Sequence, residues 1–332
     1  MFVFAAACTE PLKIDYSGVE RLVQMDAFLD SADSIHVVHL GWSTADSYEP
    51  VTNRDGFCVT MYVNGEKVSE TDSLFRDNQF QDVLYVKGCF SANDRVKLIG
   101  RIGDSTVESE VVAPSAAEII GVDTTTVLNS KYFDVTIRDI PNQNNFYRFT
   151  IWNTWTATIT EISPGNHESF EKLLGRIVRS EYEEKEVSGD EDPLISANLG
   201  INLQDEEVNG KTALNLFTDS SFRNGTYKAR LKTDNDYRPI VGYSSSYVTE
   251  VPVDVIVRLH SLTSEAYRYL DDYQFEDSDE SFLMVFPTAY PSNVKGGIGF
   301  VTAITSTDYV VKFPIWYFGG DFYRLDPIVV PR

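Results

Sequence analysis

The most restrictive feature of this sequence is a series of short β-rich segments between residues 20 and 115. Residues 35–40 and 58–63, for example, are dominated by Val, Ile, Leu, Met and Tyr, and β-branched and aromatic residues favour strands. Turn-forming pairs such as Asn64-Gly65 separate these segments. Because no helical periodicity lies between them, they predict an immunoglobulin-like β-sandwich over residues 20–115.

The sequence pattern changes after this first unit. Residues 113–115 (APS) interrupt the strand pattern and predict a domain boundary. Residues 120–332 are predicted to form a larger β-rich domain with one or two short helices, so the fold class is mainly β. Strands are expected in this domain at residues 132–137, 145–159, 227–232, 251–259 and 282–286.

Two stretches of the second domain show apolar residues at helical spacing. The first predicts a helix over 167–180. The second begins after Ser261, where Glu265 comes early and favours the positive end of a helix. Acidic residues follow each stretch, and we predict solvated loops at 181–192 and 271–280.

The chain is strongly acidic, and its charge excludes some functions. Its 332 residues include 28 Lys and Arg against 50 Asp and Glu, giving a formal charge of −22. Phosphates would be repelled at long range, which argues against nucleic-acid binding and against docking on an anionic bilayer through basic residues. No apolar stretch approaches the roughly 18 residues of a membrane-spanning helix. Hydrophobic residues make up 42% of the chain, which is enough for a packed core.

The N-terminus resembles the end of a bacterial lipoprotein signal. A short apolar run ends in Ala5, Ala6 and Ala7 immediately before Cys8, which suits cleavage by a signal peptidase and acylation of the thiol. Residues 1–19 are then a signal remnant and tether, with Cys8 as the lipidation site. The usual basic start is missing, which we interpret as a start codon placed too late or a trimmed chain. The alternative is a buried N-terminal strand with an ordinary free cysteine.

Two further cysteines lie in strand-like segments. Cys58 and Cys89 could pair in a disulfide if the protein is exported to an oxidising compartment. The alternative is two separate buried thiols. Sequence alone does not fix the distance between their Cα atoms, which decides between the two.

The search for catalytic and metal-binding motifs yields no site. Residues 242–246 (GYSSS) lack the second glycine of a serine-hydrolase elbow, and residues 167–171 (HESFE) have Glu where a zincin needs its second His. Residues 295–300 (KGGIGF) lack the ending of a phosphate-binding loop, and we interpret their glycines as a close backbone approach. No cofactor or metal is predicted. Catalysis by an unidentified pair of carboxylates stays open.

Several segments, in their order along the chain, resemble family 4249 of the domains of unknown function. The most specific are residues 264–270 (SEAYRYL) and 291–300 (PSNVKGGIGF). The resemblance spans nearly the whole chain, although Gly296 stands where many members carry Asn. Other matching segments are residues 139–148, 192–194 and 217–225.

This resemblance implies a lipoprotein of the Bacteroidetes outer membrane, anchored through Cys8 at the cell surface or on the periplasmic face. Members often accompany TonB-dependent outer-membrane receptors, which implies a role near nutrient uptake. No activity is established for the family, so no catalytic residue carries over. We interpret the family motif as mainly scaffold; its residues are Tyr267, Tyr269, Asn293, Gly297 and Gly299.

Three functions remain as hypotheses. The first is a non-enzymatic envelope lipoprotein that binds a ligand or partner and assists a TonB-dependent transporter. The second is a polymer-degrading hydrolase with unidentified carboxylate catalysts. The third is a structural or adhesive envelope protein, which an immunoglobulin-like domain would suit. The sequence contains no complete catalytic motif among those searched, which favours the first hypothesis.

Overall fold

The computed structural model describes most of the chain from residue 21 onwards. Cys8, the segment 1–19 and the expected strand at 282–286 lie outside the described residues. None of the helices described is long and apolar enough to cross a membrane. The described residues are 21–43, 56–76, 82–163, 172–189, 191–197, 214–234, 246–248, 253–276, 292–313, 315–318 and 321–324.

The prediction of a mainly β fold with one or two short helices is confirmed, since two helices and many strands occur among the described residues. The first nine strands are β1 (Val23–Asp30), β2 (Ile35–Trp42), β3 (Phe57–Val63), β4 (Glu66–Thr71), β5 (Leu74–Arg76), β6 (Asp82–Lys87), β7 (Arg95–Ile102), β8 (Ser105–Val112) and β9 (Glu118–Val127). The later elements are β10 (Ser130–Arg138), β11 (Phe146–Ser163), β12 (Lys172–Lys185), α1 (Pro193–Ala197), β13 (Leu216–Thr218), β14 (Thr226–Asp234), β15 (Ser246–Val248), β16 (Val253–Leu262), α2 (Ser264–Glu276), β17 (Val301–Phe313), β18 (Ile315–Phe318) and β19 (Asp321–Arg324).

The first eight strands form two sheets that face each other. Strands β1, β2, β6 and β5 are neighbours in that order, and β4, β3, β7 and β8 form the other sheet. An immunoglobulin sandwich has strands A, B, E and D on one sheet and C, F and G on the other, and the order of β1, β2, β6 and β5 and of β3, β7 and β8 is compatible with that arrangement. The first core between them consists of Val23, Met25, Ala27, Leu29, Val38, Leu40, Phe57, Val59, Met61, Leu84, Val86, Phe90, Val96, Leu98, Ile102, Val107, Ala113, Val294, Val301 and Ala303.

A second pair of sheets follows. Strands β14, β10 and β9 form a three-stranded sheet, which packs against β11, β16 and β17. Alternate residues of these strands point inward, as the two-residue period of a strand requires. The second core consists of Ala117, Ile119, Phe133, Val135, Ile137, Tyr147, Phe149, Ile151, Val187, Ile195, Phe217, Phe222, Ala229, Leu231, Val255, Val257 and Leu259.

Strand β17 joins the two pairs of sheets. It pairs antiparallel with β16 and parallel with β1, so one long sheet runs in the order β12, β11, β16, β17, β1, β2, β6, β5. The segment predicted as a boundary lies against this sheet, because the Thr305 hydroxyl donates to Pro114 O over 2.6 Å and the Thr307 hydroxyl to Ala117 O over 2.7 Å. The two units are therefore linked by hydrogen bonds as well as by the chain, and the boundary itself stays a prediction.

The long sheet has one face toward both cores. On β17, Val301 and Ala303 belong to the first core, while Tyr309 and Val311 pack against the second. All four have odd numbers, so they share one face of the strand. We call the opposite face of the long sheet, which carries the even-numbered residues of β17, the back face.

The predicted helix at 167–180 is wrong over the described part of that range. Residues 172–185 form β12, which pairs with β11 from Ser163 opposite Lys172 to Ile151 opposite Lys185. Hydrogen-bonded pairing with β11 outweighs the helical spacing of the apolar residues. Ile177 and Val178 are also β-branched, which favours a strand. The acidic runs are also not wholly loops, since residues 181–185 lie in this strand and residues 271–276 in α2.

The second predicted helix and the Asn64-Gly65 turn are confirmed. Helix α2 begins at Ser264 with Glu265 in its first turn, and the Thr263 hydroxyl accepts a hydrogen bond from Ala266 N over 3.1 Å, as an N-cap does. Asn64 and Gly65 have φ angles of 52° and 85°, the paired positive values of a tight hairpin turn.

Candidate functional site

The aromatic residues of the predicted family motif lie on α2 and pack against the long sheet. Tyr267 is buried, and its ring lies 5.1 Å from that of Phe146. Tyr269 stacks on Phe300, with ring centroids 4.6 Å apart and an angle of 4° between the planes. Both tyrosines thus hold the helix in place, which supports their interpretation as scaffold.

The remaining motif residues shape the segment that leads into β17. The Asn293 side chain bridges it, since Nδ2 donates to Val301 O over 2.6 Å and Oδ1 accepts from Val301 N over 2.9 Å. A Cβ on Gly297 would overlap the carbonyl oxygen of Val23, and one on Gly299, where φ is 121°, would overlap that of Met25. These glycines let the segment lie directly against β1.

The same segment closes the first sandwich between its two sheets. On one side, Ile298 N donates to Val23 O and Met25 N donates to Ile298 O, both over 2.9 Å. On the other side, Lys295 and Glu108 exchange two backbone hydrogen bonds of 2.8 and 3.0 Å. The motif therefore ties β1 of one sheet to β8 of the other.

Cys58 and Cys89 are both free thiols in the structure, so no disulfide joins them. Cys58 is half-buried and lies between Phe57 and Val59, which point into the first core. Its side chain therefore points to the outer face of the β3 sheet. Cys89 is exposed beyond the end of β6, in the other sheet, so neither thiol is placed to reach the other. The predicted disulfide and the alternative of two buried thiols are therefore both wrong.

Other segments of the resemblance meet in one buried hydrogen-bond network. The Asp139 carboxylate accepts from Tyr147 OH over 2.6 Å, from Asn145 Nδ2 over 2.9 Å and from Asn224 N over 2.7 Å. Asn145 Nδ2 also lies 3.3 Å from Asp219 Oδ2. Burial and the neighbouring Asp139 raise the pKa of Tyr147, so its hydroxyl stays protonated and donating. The network fixes the loop between β10 and β11.

A second buried carboxylate, Asp192, fixes the start of α1. Its Oδ1 accepts from Leu194 N and Ile195 N over 3.0 and 3.2 Å, the contacts of an N-cap. Its two oxygens also accept from Tyr227 OH over 2.8 Å and Arg230 N over 2.9 Å. Burial and this hydrogen bond raise the pKa of Tyr227. Both carboxylates are satisfied structural groups.

The back face of β16 and β17 carries a polar cluster, formed by Asp30, Thr150, Arg258, His260, Ser306 and Asp308. The first four are buried, Ser306 is half-buried and Asp308 is exposed. His260 Nε2 lies 2.9 Å from Thr150 Oγ1, and its Nδ1 lies 2.7 Å from Ser306 Oγ and 3.3 Å from Asp30 Oδ2. Burial lowers the pKa of His260, so the ring is neutral at pH 7. With a proton on Nδ1, this nitrogen donates a hydrogen bond and Nε2 accepts one, so both ring nitrogens are hydrogen-bonded.

Charged residues complete this cluster. Arg258 Nε donates to Asp308 Oδ1 over 2.7 Å, its Nη2 donates to Asp308 Oδ2 over 3.0 Å, and Nη1 lies 3.7 Å from Asp30 Oδ2. Burial alone would raise the pKa of Asp30, but hydrogen bonds from His260 and Ala32 N lower it overall. The carboxylate therefore stays ionised opposite Arg258.

The order Asp30, His260, Thr150 has the connectivity of a catalytic triad, but its setting does not suit catalysis. All three side chains are buried, and Thr150 Oγ1 already accepts a hydrogen bond from Trp152 Nε1 over 3.0 Å. A nucleophile must reach a substrate atom beside a donor for the developing charge. The polar cluster is thus better suited to holding β1, β11, β16 and β17 together.

Part of the back face on β1, β2, β6 and β5 is exposed and apolar. Phe28 pairs with Thr302, an even-numbered residue of β17, so Phe28 points to the back face. Asp26 pairs with His39, and two residues further along these strands Val37 lies opposite Phe28 and shares its face. Val37 pairs directly with Tyr85, and Tyr85 meets Phe75 edge-on with ring centroids 5.3 Å apart. We call Phe28, Val37, Tyr85 and Phe75 the apolar row.

The apolar row is continuous with helix α2. Its members are exposed by 38% (Phe28), 40% (Val37), 42% (Tyr85) and 50% (Phe75), and Ile35 beside them is also exposed. The Phe28 ring lies 5.5 Å from that of Tyr269 and 6.0 Å from that of Phe300. A row of apolar side chains across four strands is an exposed patch of the kind that marks interaction sites.

Sequence reasoning missed this row, although a signal was present. Residues 35–40 (IHVVHL) are apolar at both odd and even positions, whereas an antiparallel sandwich strand with one solvated face alternates. That departure could have identified Ile35 and Val37 as surface residues with a reason to be apolar.

Comparison with known families agrees with the resemblance. The family model described as "Domain of unknown function (DUF4249)" matches residues 9–309, which includes both cores, the motif segment and the apolar row. A search among curated proteins finds no match. The chain therefore belongs to the DUF4249 family.

Proposed function

We propose that this protein is a non-enzymatic binding or accessory component of the cell envelope, and that its apolar row contacts a TonB-dependent outer-membrane receptor. The observation that carries the proposal is the exposure of Phe28, Val37, Tyr85 and Phe75 on one sheet face. Covering four such side chains would remove apolar surface from water, which stabilises a complex.

The shape of the row supports a protein partner. It crosses four hydrogen-bonded strands, so the backbone that carries its side chains is already fixed and loses little conformational freedom on binding. Three of its members, Phe28, Phe75 and Tyr85, are aromatic, and Phe75 and Tyr85 are in contact. Aromatic residues are enriched among those that dominate binding energies.

The net charge supports a partner with basic or neutral surroundings. At −22, the chain attracts a basic surface at long range and repels other acidic ones. Association with such a receptor should therefore slow as the salt concentration rises, while the apolar contact itself is less sensitive to salt.

The proposal includes a lipid anchor at Cys8. Three alanines precede this residue, and an acylated cysteine would hold the acidic protein at a membrane without a spanning helix. Changing Cys8→Ala in a chain with a complete signal should move the protein to the soluble fraction. Continued membrane association of that variant would contradict the anchor.

Co-purification tests the receptor contact. The wild-type protein, solubilised from outer membranes in mild detergent, should recover a TonB-dependent receptor identified by mass spectrometry. The double variant Val37→Ser, Tyr85→Ser should recover at least about tenfold less, the equivalent of 1.4 kcal/mol. Val68→Ser is the matched control, because Val68 is 43% exposed outside the apolar row. Equal recovery by all three proteins would refute the assignment of the row.

A further inference from the structure

A cleft lies where the boundary segment, the loop between β10 and β11, and the start of α2 meet. Its volume is about 420 Å³, within the range of small-molecule sites. Neutral amide and hydroxyl groups make up much of its wall: Asn93, Ser115, Gln143, Asn144, Thr263 and Ser264.

Among the residues that the structure describes, those that line the cleft include no Asp, Glu, Lys, Arg or His, although the chain has 50 acidic and 28 basic residues. Tyr147 also lines it, but this hydroxyl donates to Asp139 and is kept protonated. Apolar contact comes from Ala113, Phe146 and Leu262. The cleft thus combines neutral hydrogen-bonding groups with apolar surface.

Several of these polar groups keep unused hydrogen-bonding capacity. Asn144 is exposed and makes no hydrogen bond within the described residues. Gln143 donates through Nε2 to Asn145 Oδ1 over 2.8 Å, which leaves its own Oε1 as an acceptor. Asn93 accepts from Ser115 Oγ over 3.0 Å, which leaves its Nδ2 as a donor. Donors and acceptors therefore both face the cleft.

The loop that carries these amides is fixed before any ligand arrives. Asn145 Nδ2 donates to Asp139 Oδ1 over 2.9 Å and to Ile140 O over 2.7 Å, and Asn142 N donates to Asn224 Oδ1 over 2.7 Å. A fixed loop loses little entropy on binding, so its few polar groups contribute more to affinity.

We propose that this cleft binds a neutral saccharide of one or two rings. A charged ligand would find no counter-charge in it, and a purely apolar one would leave the amides unpaired. Sugar hydroxyls both donate and accept, matching the amides and hydroxyls, while the apolar face of the ring fits against Phe146. Peptides commonly bind by adding a strand to a sheet edge, whereas loops and the start of a helix form most of this wall.

Titration calorimetry with three sets of ligands tests the proposal on the full chain: neutral mono- and disaccharides, charged sugars of the same size, and neutral dipeptides. We expect at least one neutral saccharide to bind with a Kd below about 1 mM. Asn144→Asp and Gln143→Glu should weaken it at least about tenfold, because each replaces an amide that both donates and accepts hydrogen bonds with a carboxylate that only accepts them. Asn142→Asp is the matched control, since this exposed amide of the same loop does not line the cleft, and its Kd should stay within about twofold.

Three outcomes would overturn the proposal: no neutral saccharide with a Kd below about 1 mM, stronger binding of charged sugars or dipeptides, or equal loss in the Asn142→Asp control. Melting temperatures of the three variants should match that of the wild type, which separates lost binding from misfolding. The cleft does not depend on the receptor contact, so failure here leaves the assignment of the apolar row intact.

Discussion

The two halves of the back face reverse the usual relation between polarity and burial. Across β11, β16 and β17 the face carries the polar cluster, whose Asp30, Arg258 and His260 are buried. Across β1, β2, β6 and β5 the same face carries the apolar row, which is exposed. The two halves meet on β1, where Phe28 belongs to the row and Asp30 to the cluster.

This contrast shows that each half needs its own explanation. Buried charges are tolerated only when they are paired and hydrogen-bonded, and the contacts of Arg258 with Asp308 and of His260 with Asp30 meet that condition. Exposed apolar side chains have no such internal compensation, and a large patch of them is a site for contact. We therefore expect changes in the polar cluster to affect stability and changes in the apolar row to affect binding.

The largest expected effect is that of Asp30→Ala. Removing this carboxylate leaves His260 and Arg258 buried without one of their partners, which should lower the free energy of unfolding by about 4 kcal/mol. Urea denaturation measures the change. Asp33→Ala is the control, because Asp33 lies in the same turn, is 53% exposed and is 3.9 Å from Arg258, so it should cost less than about 1 kcal/mol. Equal losses in both variants would mean that the cluster does not act as a buried unit.

Gly299→Val tests the boundary between the two halves, where Phe300 stacks on Tyr269. A valine side chain would overlap the Met25 carbonyl and force an unfavourable φ, so we expect a loss of about 3 kcal/mol. In Gly121→Val the new Cβ has nothing within 4 Å, and this variant should stay close to wild type. If Gly299→Val keeps its melting temperature but loses a partner, the motif is a recognition site and the scaffold interpretation is wrong.

His260→Gln should change the pH dependence of stability. Burial, with Arg148 and Arg258 nearby, lowers the pKa of His260 below its usual 6.5, although Asp30 opposes this. The unfolded chain therefore takes up a proton at a higher pH than the folded chain, so stability falls as the pH drops below 6.5. The glutamine variant should show a shallower fall in melting temperature. Burial also lowers the pKa of His36, so part of the pH dependence of the melting temperature should remain in the variant. An unchanged slope would place the titrating group elsewhere.

The smallest stability effect is expected in the apolar row. Tyr85→Ser should change the free energy of unfolding by no more than about 0.5 kcal/mol, because Tyr85 is exposed and its loss opens no cavity in the first core. Thermal denaturation measures this directly. A loss as large as that of Asp30→Ala would show that the row stabilises the sheet itself, and the contrast between the two halves would fail.

The sequence predicted the elements whose signals are local. The Asn64-Gly65 turn and helix α2 depend on residues close together in the chain, and the structure confirms both. The helix expected at 167–180 failed because pairing with β11, a contact between segments, decided the outcome. The polar cluster could not be predicted from the sequence for the same reason, since Asp30 and His260 lie far apart along the chain. The motif glycines were interpreted as a close backbone approach, and Gly297 and Gly299 lie directly against β1.

Site-specific photo-crosslinking from the apolar row tests the central claim most directly. A photoreactive phenylalanine analogue replaces Tyr85 in cells that make the protein, and the same analogue replaces Val68 as the control. Our account predicts an adduct with a TonB-dependent receptor from position 85 and none from position 68, with both proteins folded to the same melting temperature. An adduct from position 68 alone, or no receptor adduct from position 85, would contradict the apolar row as the contact surface.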